Sequence, residues 1–143
     1  MMISLLKRID HIELVVRDPE QFITFFEKMG LKVLTRSDHH HGSAEMALPG
    51  ADQIIFEIHG VEGEENPGMN HIAFLTDNVQ GDFEKLKKNG IAFESDCHLV
   101  KATGRVIANF RDPDGFRLQL TDEKRAEPVA GEFSTTVAST RRK

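Results

Sequence analysis

The feature that most constrains this chain is an internal repeat. Shifting the sequence by 60 residues lays Asp10-His11-Ile12 on Asn70-His71-Ile72, Ile23 on Phe83, Phe26 on Leu86, Gly30 on Gly90 and Leu31 on Ile91. Each half reads as a strand, a helix closed by glycine, and further strands. A duplicated unit of this kind sets equivalent positions around a pseudo-two-fold axis. His11 and His71 are therefore expected to face a shared cavity, and imidazole is the commonest metal ligand among side chains.

Size and charge narrow the function classes. A chain of 143 residues is one domain with room for a real core. The formal net charge of −5 argues against a broad basic surface, so no nucleic-acid partner is expected. Cys97 stands alone, which removes intrachain disulfides and cysteine-cluster metal sites. No apolar run approaches the roughly 20 residues of a membrane span. The segment Met1 to Arg8 is too short and wrongly ordered for a secretory signal, so a cytoplasmic location is expected. With neither Trp nor Tyr, the ten Phe supply the aromatic bulk.

Local signals give the element order. Ile9 to Val16 alternates and is rich in β-branched residues, the mark of a strand. Asp18-Pro19 opens a helix, with Asp18 placed to accept from free amides and Pro19 suited to the first helical position. Phe22, Phe25, Phe26 and Met29 form an apolar stripe expected to pack on the sheet, and Gly30 stops the helix. Strands are expected at Leu31 to Arg36, Ala44 to Leu48 and Gln53 to His59. The second half predicts strands at Asn70 to Leu75, Ala92 to Ser95, Arg105 to Phe110 and Phe116 to Leu120, and a helix at Val79 to Asn89. Asp112-Pro113-Asp114-Gly115 is a turn signal. The domain is expected over residues 1–122, with modules at about 8–60 and 69–121, followed by a polar tail at 123–143.

Alternate residues of a strand share a face. His11, Glu13 and Val15 then lie on one side and Ile12, Leu14 and Val16 on the other, and His71, Ala73 and Leu75 separate in the same way from Ile72 and Phe74. In the last strand of each half a polar residue interrupts an apolar run: Glu57 in the first, Gln119 in the second. A carboxylate among such neighbours is costly unless paired or bound to a cation. Any one of these histidines alone would more often be a packed or solvated residue; their matched placement sets them apart. His11, Glu57, His71 and Gln119 together suit a divalent transition metal such as Zn, Ni, Fe or Mn.

Three stretches, Ile9-Asp10-His11-Ile12, Met69-Asn70-His71-Ile72-Ala73-Phe74 and Phe110 to Leu120, resemble the vicinal oxygen chelate superfamily, which includes glyoxalase I, methylmalonyl-CoA epimerase, extradiol dioxygenases and bleomycin-resistance proteins. The resemblance covers roughly residues 9 to 121. It implies an α+β fold of two βαβββ modules forming a cupped mixed sheet with helices on the convex face. It also implies metal ligands at His11, Glu57, His71 and Gln119. Members that perform metal-assisted proton transfer usually carry Glu at the last position, where this chain has Gln119. An amide ligates through oxygen but is no general base, so Glu57 takes that role, and the carboxylate of an extradiol triad is missing. Ile58-His59-Gly60 does not match the glutathione-contacting motifs of glyoxalase I.

The expectation is a small metal-dependent lyase, isomerase or epimerase acting on an oxygen-chelating small-molecule substrate. The alternative is a metal-independent protein that sequesters a drug or metabolite. Arg105 and Asn109 alternate on a strand lining the cup and are candidates for substrate binding, with a cross-strand salt bridge the other reading for Arg105. His39-His40-His41 is expected in a solvated loop, with a substrate-contacting role as the sharper reading. His59 and His98 are expected at the surface. Relatives of this size and exposed sheet edges point to a homodimer. Light scattering should return a dimer mass, and a monomer mass at tens of micromolar would reject the assembly.

Overall fold

The computed structural model of the protein describes residues 6–101 and 103–123. The expected tail from residue 124 onward lies outside them. The first half contains β1 (Leu6–Val16), α1 (Pro19–Lys28), β2 (Lys32–Ser37), β3 (Ser43–Ala47) and β4 (Ile55–Gly60). The second contains β5 (Gly68–Thr76), α2 (Val79–Lys88), β6 (His98–Val100), β7 (Arg105–Arg111) and β8 (Arg117–Thr121). Strand order is β2-β3-β4-β1 in the first half and β5-β8-β7-β6 in the second. This is the expected α+β architecture of two βαβββ modules.

The local chemistry explains these elements. The Asp18 carboxylate accepts from the Gln21 amide at 3.1 Å, and Pro19 begins α1. Asn78 caps α2 in the same manner, accepting from the Gly81 amide at 2.9 Å. Gly30, at φ +104°, takes the left-handed turn that ends α1 at little cost. In each half the first strand pairs in parallel with the last, and the helix forms part of the connection between them.

Each half packs its own core. Val16, Ile23, Phe26, Leu31, Met46 and Ile58 form the first, and Val79, Phe83, Ala108, Phe110 and Leu120 the second. The Phe stripe of α1 is only half internal. Phe26 is buried and Phe22 partly so, whereas Phe25 and Met29 are exposed. At 100° per residue, Pro19, Ile23 and Phe26 define the inner face, and Phe25 lies a full 100° from Phe26.

The strand expected at Ala92 to Ser95 is also absent. Phe93 makes a single bridge to Phe110, and regular pairing resumes at β6, where His98 meets Ile107. The Phe93 ring lies 4.7 Å from Phe83 and 4.9 Å from Phe110, so this segment plugs the second core instead of extending the sheet.

The described chain divides into two compact units, residues 11–70 and residues 6–10 with 71–123. The start of β1 thus belongs with the second half. Leu6 packs on its core, and Asp10, fully buried, accepts from Arg105 Nη1 at 2.9 Å across 95 residues of sequence. Removing one member of a buried ion pair strands the other charge, at a cost of about 3–5 kcal/mol. Asp10→Ala is expected to lower unfolding free energy by that amount in urea titrations. The double change Asp10→Leu with Arg105→Met should recover much of it. Additive losses in the double variant would show that the pair is not coupled.

Candidate functional site

In the first half, the parallel register sets His11 opposite Ile55 and Glu13 opposite Glu57. His11 is buried, and its Nε2 lies 3.6 Å from Glu57 Oε1, with a quarter of the Glu57 side chain exposed. That separation is too long for a hydrogen bond. It is close to the roughly 3.0–3.4 Å expected between two donors that each stand about 2.1 Å from one ion. Glu57 is also the antiparallel partner of Glu45. Three carboxylates, Glu13, Glu57 and Glu45, thus stand in one row across β1, β4 and β3. Directly opposed like charges are unfavourable, and a cation relieves them.

His59 continues the face of Glu57 two residues further along β4. Its side chain is only 12% exposed, with Nε2 at 3.8 Å from both Glu13 Oε2 and Glu65 Oε2. Burial pushes its pKa down from the usual histidine value; Glu65 opposes this, His40 adds to it, and Glu57 and Glu62 oppose it. The expectation of a surface residue is therefore corrected for His59, whereas His98 is exposed as expected. The period-two alternation of β4 groups His59 with Glu57, but what covers it comes from the His40 loop.

His40 and His41 lie in a loop, as expected, and their side chains are 47% and 70% exposed. Both have left-handed backbones, at φ +48° and +62°, and both approach Glu62, His40 Nδ1 at 3.1 Å and His41 Nε2 at 3.7 Å. The loop passes so close to Gly60 that a Cβ there would fall 2.9 Å from the His40 carbonyl oxygen. The His40 ring lies 4.8 Å from that of His59. A small cavity of about 130 Å³ opens beside Ile55, lined also by Lys32, Leu34, Leu48, Asp52 and Gln53.

The second half repeats the construction. Ala73 pairs with Gln119, so His71 precedes the partner of Gln119 by two residues, as His11 precedes the partner of Glu57. Both His71 and Gln119 are buried. Gln119 Nε2 donates to Asn109 Oδ1 at 3.0 Å, and the two residues are direct antiparallel partners. Arg105 is buried and holds Asp10, which realises the salt-bridge reading of that residue. Burial and the nearby Asp122, Asp96 and Glu84 push the Cys97 thiol up, away from the thiolate a nucleophile needs.

Imidazole, carboxylate and amide oxygen are donors that a divalent transition metal accepts, and in each half the register sets one imidazole and one oxygen donor in the same relation. The donor types therefore suit such an ion. Among the described residues, no three His, Cys, Asp or Glu side chains are gathered tightly enough to hold an ion as they stand.

Residues 8–120 match the model of the Glyoxalase/Bleomycin resistance protein/Dioxygenase superfamily. The chain is 31% identical over 128 residues to the lactoylglutathione lyase of Escherichia coli O157:H7, covering 83% of this chain and 95% of that one. It is 34% identical over 116 residues to the uncharacterized protein YwbC of Bacillus subtilis, covering 76% and 92%. It spans only 45% of the lactoylglutathione lyase of Schizosaccharomyces pombe, at 27% identity over 139 residues and 82% of this chain. Among solved structures, methylmalonyl-CoA epimerase of Streptomyces coelicolor superposes with a TM-score of 0.70 at 20% identity, covering 82% of this chain and 98% of the epimerase. The repeated modules and the family match agree, and the chain belongs to the glyoxalase/bleomycin resistance protein/dioxygenase superfamily.

Proposed function

We propose that this protein is a metal-dependent enzyme of the glyoxalase type, catalysing a lyase, isomerase or epimerase reaction on a small substrate that presents two adjacent oxygens. The observation that supports the reading is the identical register in the two halves, in which His11 lies two residues before the partner of Glu57, 3.6 Å from its carboxylate, and His71 two residues before the partner of Gln119. The proposed ligands are His11, Glu57, His71 and Gln119, with water completing the shell. A divalent ion held there would act as a Lewis acid on the substrate oxygens.

The chain's own residues supply the rest. Glu57 accepts a proton from substrate carbon at its carboxylate and returns it to carbon or oxygen, because the two histidines are committed as ligands and Gln119 has no basic atom. Asn109 lies on the substrate side of β7 and contributes an amide. Arg105 would reach a substrate oxygen only by sharing its guanidinium with Asp10. The cavity beside Ile55 takes the part of the substrate that does not react, since Ile55 lies two residues from Glu57 on the same face. Homodimeric assembly and a cytoplasmic location belong to this reading and rest on the sequence. Relatives named lactoylglutathione lyase and solved structures named methylmalonyl-CoA epimerase make those two reactions the first to assay.

One observation favours a second reading, in which the protein binds a drug or metabolite without chemistry. Gln119 occupies the place where a base is usual, and the described side chains form no ready cage. Metal content separates the two readings. Protein purified without a His tag is expected to hold about one divalent ion per chain, lost on His11→Ala or His71→Ala. Equal metal in the parent and both variants would refute the ligand assignment.

The proton-transfer role has its own test. In deuterated solvent the parent is expected to exchange an acidic substrate proton, and Glu57→Gln to lose exchange by about 100-fold or more, as for removal of a general base. Full exchange in Glu57→Gln would remove Glu57 from the mechanism. No exchange or turnover on dicarbonyl, hydroxyacyl or acyl-CoA substrates, in a protein that also purifies metal-free, would select the binding reading.

A further inference from the structure

Two histidines of one loop are fastened to a single carboxylate. Glu62 Oε1 lies 3.1 Å from His40 Nδ1, and Glu62 Oε2 lies 3.7 Å from His41 Nε2, so each ring has its own oxygen. Glu62 is itself anchored. Its amide donates to Glu65 Oε1 at 2.8 Å, and its carbonyl accepts from the Glu65 amide at 3.0 Å. Against this loop lies His59, largely covered, with its ring 4.8 Å from that of His40. All of these residues belong to the unit of residues 11–70.

The closed loop carries two costs. His40 and His41 are consecutive non-glycine residues in the left-handed region, a conformation that persists only where the surroundings impose it. His59 Nε2 is buried with no hydrogen-bond partner among the described residues, and Glu13 Oε2 and Glu65 Oε2 stand 3.8 Å away. A buried polar atom left without its hydrogen bond is costly. Opening the loop relaxes the backbone and lets water reach Nε2, so closure must be held by something. The two contacts to Glu62 and the close fit over Gly60 are what hold it. We infer that the loop carrying His40 and His41 is a strap, latched by Glu62, that closes over His59 and opens to admit solvent and small molecules to the polar face of β4. On that face His59 adjoins Glu13 and follows Glu57 by two residues, so the strap governs access to these groups from the Gly60 end of the strand. Neither a bound ion nor the reaction proposed above is needed for the strap to work.

Acylation of His59 by diethyl pyrocarbonate, followed at each histidine by mass spectrometry of the full chain, reads the strap. His98, exposed in the second half, is the reference. In the parent protein His59 is expected to react about tenfold or more slowly than His98, because only the open population reacts. Glu62→Ala is expected to raise the His59 rate by about 3- to 10-fold and leave His98 unchanged, as for the loss of two partly exposed ion pairs. Gly60→Ala should raise the His59 rate as well, since its methyl group would stand 2.9 Å from the His40 carbonyl oxygen and press the loop outward. It also covers the case in which Glu62→Ala fails to fold. Equal rates at His59 and His98 in the parent would show that nothing shields His59 and would overturn the strap. An unchanged His59 rate in folded Glu62→Ala would overturn the latch, as would a rise shared in equal measure by His98.

Discussion

Everything in the candidate site depends on the parallel pairing of the first and last strands within each half. Parallel neighbours cannot be joined by a tight turn, so the chain must leave the first strand, pass through a helix and return. That detour brings residues far apart in sequence to adjacent strands. His11 and Glu57 are 46 positions apart and His71 and Gln119 are 48 apart, yet the offset between each pair is the same. Register in a sheet with one apolar face is tightly specified, because a slip by one residue would turn every core side chain outward. The cores on α1 and α2 therefore fix the polar face without contributing an atom to it. Leu14, Val16, Phe56 and Ile58 commit one side of β1 and β4, and His11, Glu13, Glu57 and His59 are placed by default on the other.

The two halves have diverged most on that polar face. The first half is acidic, with Glu13, Glu57 and Glu45 in one row and His59, largely covered, beside them. The second is neutral at the matching row, with Ala73, Gln119 and Asn109. A duplicated fold thus carries an asymmetric charge distribution, and the proposed proton transfer falls in the half that has the carboxylates. The Asp10–Arg105 pair adds to this asymmetry. It commits the second half's buried cation to β1 and so removes Arg105 from the groups with a free charge to offer a substrate.

Much of this was legible in the sequence because two periodicities coincide. The period-two alternation gives faces, and the 60-residue repeat gives equivalence between halves. Together they identified β1, β4, β5 and β8, the two helix caps that begin with Asp18 and end at Gly30, and the side on which each candidate ligand lies. Where the structure differs, the causes are two: Phe25 is turned outward by the helix's own 100° step, whereas the surroundings of Phe93 and His59 are set by distant segments. Phe93 packs against Phe83 and Phe110, ten and seventeen residues away in sequence. His59 is largely covered because the His40 loop lies against it and over Gly60, and nothing in the strand that carries it announces that loop. The partner of Arg105 lay 95 residues away, beyond any local pattern.

Gln119 has a consequence for charge as well as for proton transfer. Two neutral imidazoles, one carboxylate and one amide give the proposed donor set a single negative charge, whereas a second Glu would give two. With a divalent ion the site would keep a net positive charge. Such a site holds its ion less firmly, but it polarises a substrate oxygen more strongly and favours one that becomes anionic. Glu57 then carries two demands at once, as the one charged ligand and the one base. Its neighbours fit that burden. Carboxylates at Glu13 and Glu45 stand on either side of Glu57 in the row, so a cation held at Glu57 would also relieve the repulsion along it.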